Sequence, residues 1–332
     1  SNSSENSAIY LRSINSTTEG KVLFKMYGGQ VNGNIYAGAR TINSNTDEVV
    51  TNMYFYGGNI ISPNGGIFGQ GANESFYGGS RITLTGITQI NGSVYGGSNV
   101  TIDGKGNGTA NTEINVTGSS VKISGNIYGG SKNQNNIDTD KFEENSYITI
   151  GSTEGSPIIY NTIYGGGIND KLNSTNIEVI GNNRNSYLKI YGASNGNSVI
   201  QTSNITTNGG YIAEIYGSGN TVGSVEETNI TINKGTIQNV YGAGNRNSAK
   251  TTNIIAKSGN ITNIYGGGKD LDTAIENTNI SVLNGNITNI YGAGLNNGAG
   301  RTNINVNVST RTSRITNIYG GAKDSGNVNE TN

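Results

Sequence analysis

The sequence has no cysteine, no histidine and no tryptophan, and only two prolines in 332 residues. Without cysteine there is no disulfide framework and no thiolate nucleophile. Without histidine there is no imidazole general base, and with both missing there is no zinc site of the usual kind. Charge is scarce too. Asp, Glu, Lys and Arg make up 13% of the chain, and the formal net charge is -1. That balance offers no electrostatic footprint for nucleic acid or an anionic membrane, so neither is an expected partner. No apolar run approaches the roughly 18 to 20 residues of a membrane-spanning helix, and residues 1–7 lack the basic start and apolar core of a secretory signal.

What is abundant is glycine, with 52 residues, asparagine, with 55, and tyrosine, with 19. The apolar share of 32% taken alone points to disorder. The near-zero net charge and the regular recurrence of isoleucine and tyrosine point the other way.

The recurrence is a repeat. Ile-Thr-Asn-Ile-Tyr-Gly stands at 261–266, 287–292 and 315–320, and Thr-Ile-Gln-Asn-Val-Tyr-Gly at 236–242. Earlier copies centre on Tyr128, Tyr164, Tyr191 and Tyr216. From Tyr164 to Tyr319 the steps are 27, 25, 25, 24, 26 and 28 residues, within the range of solenoid repeats. A second phrase precedes each tyrosine: Ser203-Asn204-Ile205, Thr228-Asn229-Ile230, Thr252-Asn253-Ile254 and Thr278-Asn279-Ile280. Nearer the N-terminus the tyrosine signal is uneven, at Tyr27, Tyr36, Tyr56, Tyr77 and Tyr95, with Phe68 as a stand-in. Residues 1–90 are therefore expected to form irregular or capping coils, and 91–332 more regular ones, in one domain.

The phrases are short, β-branched and aromatic, and Gly, Asn and Ser clusters separate them, which are strand and turn signals. A helical repeat needs leucine and alanine at 3.6-residue spacing, and leucine occurs eight times. A propeller blade needs roughly 40 to 50 residues. One coil of a parallel β-helix fits about 26, so the expected fold is an all-β, right-handed parallel β-helix (β-solenoid) of about 12–13 rungs, the hand following the general crossover rule. Ile230, Ile254, Ile280 and Ile304 are expected to stack in one inward column. Asn239, Asn263, Asn289 and Asn317 are expected at a bend, bonded to their copies in adjacent coils. The glycines after each tyrosine are expected to supply positive φ. Glu330-Thr331-Asn332 copies Glu227-Thr228-Asn229, where a coil begins, so the array is expected to continue past the last residue.

Chemistry has few candidates. Tyr164, Tyr191, Tyr216, Tyr241, Tyr265, Tyr291 and Tyr319 are the ligand-binding candidates if they face outward, as an aromatic stripe for sugar rings or a protein partner. The alternative is that the rings stack on each other. Asp138, Asp140, Asp170, Asp270, Asp272 and Asp324 lie in loops without the fixed spacing of calcium-binding glycine-rich repeats, and read as solvated charge. Glycoside cleavage needs paired carboxylates about a cleft. No acidic cluster stands on a strand phrase, so no catalytic residue, metal or cofactor is expected and the chain is read as a non-enzyme.

The reiterated Asn-Ile-Tyr-Gly-Gly and Thr-Asn-Ile phrases resemble the Gly/Asn-rich repeats of bacterial cell-surface, adhesin-like proteins with β-solenoid stalks, most clearly from Tyr128 to Asn332. The resemblance implies an extracellular or cell-surface rod, often from a Gram-positive organism, that presents side chains and loops to host glycans, host proteins or the bacterial cell wall. The alternative function is a polysaccharide-binding or polysaccharide-processing β-helix, a lyase, hydrolase or tailspike-like protein.

Overall fold

Isoleucine stands over isoleucine along most of the chain. Ile177, Ile205, Ile230, Ile254, Ile280 and Ile304 are successive partners in one parallel ladder. The same ladder continues toward the N-terminus through Ile148, Ile114, Ile82 and Met53. This comes from a computed structural model, which describes residues 8–12, 20–38, 49–72, 79–101, 111–134, 145–169, 171–181, 188–270, 274–308 and 312–332. Among them there is no helix. The named strands pair in parallel, each with its equivalent one coil away, as Gly223–Tyr241 does with Ser198–Tyr216. The fold is a parallel β-solenoid. Stacking like on like lets each side chain bury against its own copies, which is how an apolar-poor chain builds a continuous core.

A single stack of aromatic rings counts the coils. From Phe68 to Tyr319 the chain makes nine turns, one for each step between neighbouring rings, fewer than the 12–13 rungs expected because steps such as Tyr95 to Tyr128 and Tyr128 to Tyr164 exceed 26 residues. Tyr36 and Tyr10 extend the stack toward the N-terminus. Phe68 does stand in for tyrosine. The strand Val49–Phe68 shifts register against its neighbour at Phe55/Gly57 and at Ile61/Gly66, and Ser198–Tyr216 shifts against Gly223–Tyr241 at Thr207/Asn208 and Asn208/Tyr211.

One coil shows how sequence sets shape. In Gly223–Tyr241, Thr228, Ile230 and Ile232 point inward and Asn229 and Thr231 lie between them, the period-2 pattern of a half-buried strand. Ile237 and Val240 are both buried in the core, whereas Gln238 and Asn239 between them face away from it. Two outward residues in succession break the alternation, so the chain bends at Asn239, as expected. Another bend is made by Gly210, Gly235, Gly259 and Gly285, a column with φ of 92, 137, 110 and 118° that glycine adopts without the Cβ penalty.

The glycines that follow the stacked tyrosines have a different role from the one expected. Gly217, Gly242, Gly266 and Gly292 are absent from the positive-φ set. Space selects them instead: a Cβ on Gly266 would lie 2.1 Å from the Gly292 carbonyl oxygen and 2.9 Å from Cβ of Thr278. The approach is close because a hydroxyl from the Thr-Asn-Ile strand reaches this corner. Thr228, Thr252 and Thr278 donate to the carbonyls of Gly242, Gly266 and Gly292. Thr51, Ser80, Thr112, Ser146, Thr175 and Thr302 do the same in their own coils. Each bond satisfies a buried carbonyl and ties the start of a coil to its end.

Asparagine runs in ladders on the outside. Asn204, Asn229, Asn253, Asn279, Asn303 and Asn332 each donate Nδ2 to Oδ1 of the copy below, starting from Asn176, at 2.8 to 3.1 Å. Asn263, Asn289 and Asn317 form the same chain from Asn239, each at 2.8 Å. An amide carries both a donor and an acceptor, so it propagates such a chain indefinitely.

Candidate functional site

Each stacked tyrosine follows a core residue directly, as Tyr265 follows Ile264. Consecutive strand residues point to opposite faces, so isoleucine fills the core and tyrosine leaves it. Segments that follow the stacked Tyr-Gly or Phe-Gly pairs then cover the rings, with Ala72, Ile168 and Leu295 packed against the stack. Tyr164, Tyr191, Tyr216, Tyr241, Tyr265 and Tyr291 are thus buried, and their rings lie parallel within 10° at 4.4 to 5.2 Å. Tyr319, at the C-terminal end of the stack, is 47% exposed. The outward stripe is therefore replaced by a buried column, because the covering segment closes over it.

Burial has an electrostatic consequence. It pushes the phenols of Tyr95, Tyr191 and Tyr265 up to about 12, and that of Tyr216 higher still. Asn34 and Asn126 donate to the hydroxyls of Tyr36 and Tyr128, each at 2.8 Å.

One charged cluster flanks the column. Glu214 occupies the position where later coils carry Asn239 and Asn263, and Lys189 lies below it in register. Its carboxylate lies 2.7 Å from Lys189 Nζ and 3.3 Å from Lys269 Nζ, the latter arriving from the segment after Tyr265. Burial raises the Glu214 carboxyl, but the two ammonium groups outweigh it and hold the group below its ordinary range. The arrangement is a clasp between coils.

A second group of tyrosines lies at another corner. Tyr27 and Tyr56 are 72% and 40% exposed and stack at 5.0 Å. They also precede Gly-Gly, but there the second glycine, Gly29 or Gly58, has φ of 86 or 125°. The same local phrase therefore serves two sites. Tyr77 lies outside the described residues, as do Asp138, Asp140, Asp170 and Asp272.

A groove of about 630 Å³ is lined in part by Glu226, Glu227, Lys250 and Glu276. Glu226 pairs with Lys250 at 2.6 Å, and Glu227 accepts from Asn253 at 2.8 Å. All three carboxylates are solvent-exposed. Asp270 accepts from Asn296 at 2.9 Å, and Asp324 is exposed. Among the described residues no group of three or more Asp, Glu, His or Cys is placed to hold a metal ion, and no helix is long and apolar enough to cross a membrane. No family model, no curated protein and no solved structure matches the chain.

Proposed function

We propose that the chain is the non-catalytic rod or binding region of a secreted bacterial surface protein, adhesin-like, which presents side chains and loops to host or cell-wall ligands. The observation that carries this reading is the unbroken ring stack from Tyr10 to Tyr319. At the roughly 4.8 Å strand spacing it defines a body about 50 Å long, in which the aromatic and amide chemistry is spent on cohesion. Repeated outer surfaces suit weak contacts summed over many sites. Beads coated with the full chain should adhere to host epithelial cells or to purified bacterial cell wall, and soluble chain should compete. Beads that bind neither surface would remove this reading.

A second reading is a polysaccharide-processing β-helix, favoured by the groove holding Glu226, Glu227 and Glu276. Against it, all three carboxylates lie open to solvent, Glu226 is paired with Lys250 and Glu227 accepts from Asn253. Release of reducing ends or unsaturated products from plant or bacterial polysaccharides, abolished in Glu226→Gln/Glu227→Gln, would favour the enzyme.

A further inference from the structure

The stacked column is consumed by packing, but the corner tyrosines are not. Tyr27 and Tyr56 lie parallel within 12°, and Tyr54 lies parallel to Tyr56 within 11° at 6.3 Å. Leu23 is in register with Asn52, two residues before Tyr54, and Ile87 with Gly57, one residue after Tyr56. Both are largely exposed, at 62% and 69%. Scattered exposed apolar residues are ordinary, whereas exposed rings held parallel mark a contact surface.

Beside the rings runs a row of amides. Gln30, Asn59 and Gln89 are successive partners in register, with Gln30 and Asn59 each three residues beyond its tyrosine. Gln30 Nε2 donates to Asn32 Oδ1 at 2.9 Å, and Asn59 Nδ2 to Gln30 Oε1 at 3.5 Å. The backbone under the rings is fixed by glycine. Gly29 and Gly58 hold positive φ, and a Cβ on Gly57 would lie 2.9 Å from the Tyr27 carbonyl oxygen. In the next coil the turn is made by Thr85 and Gly86, without an aromatic residue, so the platform ends there.

We infer that Tyr27, Tyr54 and Tyr56, with the amides of Gln30 and Asn59, form a carbohydrate-binding platform. Pyranose rings present C–H faces that stack on aromatic rings, and amides both donate to and accept from vicinal hydroxyls. Rings held in place by a glycine-built turn lose little freedom on binding. The assignment rests on the binding-region reading above and names its ligand class.

The test titrates the full chain with soluble hexamers of β-1,4-linked glucose, β-1,4-linked N-acetylglucosamine and α-linked mannose, followed by saturation-transfer NMR and calorimetry. At least one should bind. Tyr27→Ala should weaken that binding about tenfold at unchanged melting temperature, while Tyr27→Phe keeps it. Tyr211→Ala, at an exposed ring elsewhere on the solenoid, should have no effect. Failure of every hexamer to bind, wild-type affinity in Tyr27→Ala, or equal loss in Tyr211→Ala would each overturn the platform. Bead adhesion without any hexamer binding would overturn the platform alone. Hexamer binding that is lost in Tyr27→Ala, without bead adhesion, would support the platform and remove only the adhesin reading.

Discussion

Thr252 closes its own coil by donating its hydroxyl to the carbonyl of Gly266, 14 residues later, at 2.6 Å. Ser203 holds the equivalent place two coils below, yet its Oγ is buried without a hydrogen-bond partner. The two positions should respond oppositely to alanine. Thr252→Ala orphans a buried carbonyl and should cost about 1–3 kcal/mol, whereas Ser203→Ala removes an unpaired hydroxyl and should be neutral or stabilising. Denaturant midpoints of both variants check this, and equal losses would contradict it.

The steric account of the post-tyrosine glycines has its own test. Gly266→Ala drives a methyl into the Gly292 carbonyl and should destabilise by about 1–3 kcal/mol or more. Gly321→Ala, where a Cβ meets nothing within 4 Å, should leave the melting temperature near wild type.

Ile280→Asp should unfold neighbouring coils, because the side chain sits in the dry column at 2% exposure with Ile254 and Ile304 on either side. Loss of circular dichroism intensity or a melting temperature many degrees lower is expected. A wild-type melt would refute the column.

Alkali should unlock the ring stack. Tyr95, Tyr191 and Tyr265 have folded values raised to about 12, above the ordinary 10 of an exposed phenol. A raised folded value means that the neutral phenol is favoured by folding. That stability is complete below pH 10 and drains away between about pH 10 and 12. Phenolate absorbance of the stacked rings should appear only above pH 10, together with unfolding.

Acid should act on the clasp. The Glu214 carboxyl is held below its ordinary range, so its contribution is present above the unfolded value and is lost as pH falls through the folded one. Glu214→Gln should cost about 2 kcal/mol at neutral pH and flatten the acid limb of the stability curve. An unchanged acid limb would count against the clasp.

Much of this architecture was legible because the repeat is literal. Ile230, Ile254, Ile280 and Ile304 could be placed on one column from spacing alone, and so could the bend at Asn239 and its copies. The sense of the tyrosines was not legible. A ring next to an inward isoleucine leaves the core, and whether it meets solvent depends on a covering segment of varied sequence. Tyr27-Gly-Gly and Tyr95-Gly-Gly are also identical as text, yet they sit at different corners. Only pairing across coils separates Tyr56, in the exposed pair, from Phe68, in the buried column. The Thr-to-Gly closures were hidden for a similar reason: their partners lie 14 to 19 residues apart, beyond any local motif.

The amide chain through Asn229, Asn253, Asn279 and Asn303 treats each coil as interchangeable with the next. Excising or duplicating a unit such as 253–278 leaves the isoleucine, asparagine and tyrosine columns with matching neighbours at the seam. Overall span can thus change by whole increments through unequal recombination without redesigning these columns, so length is a trait that selection can adjust.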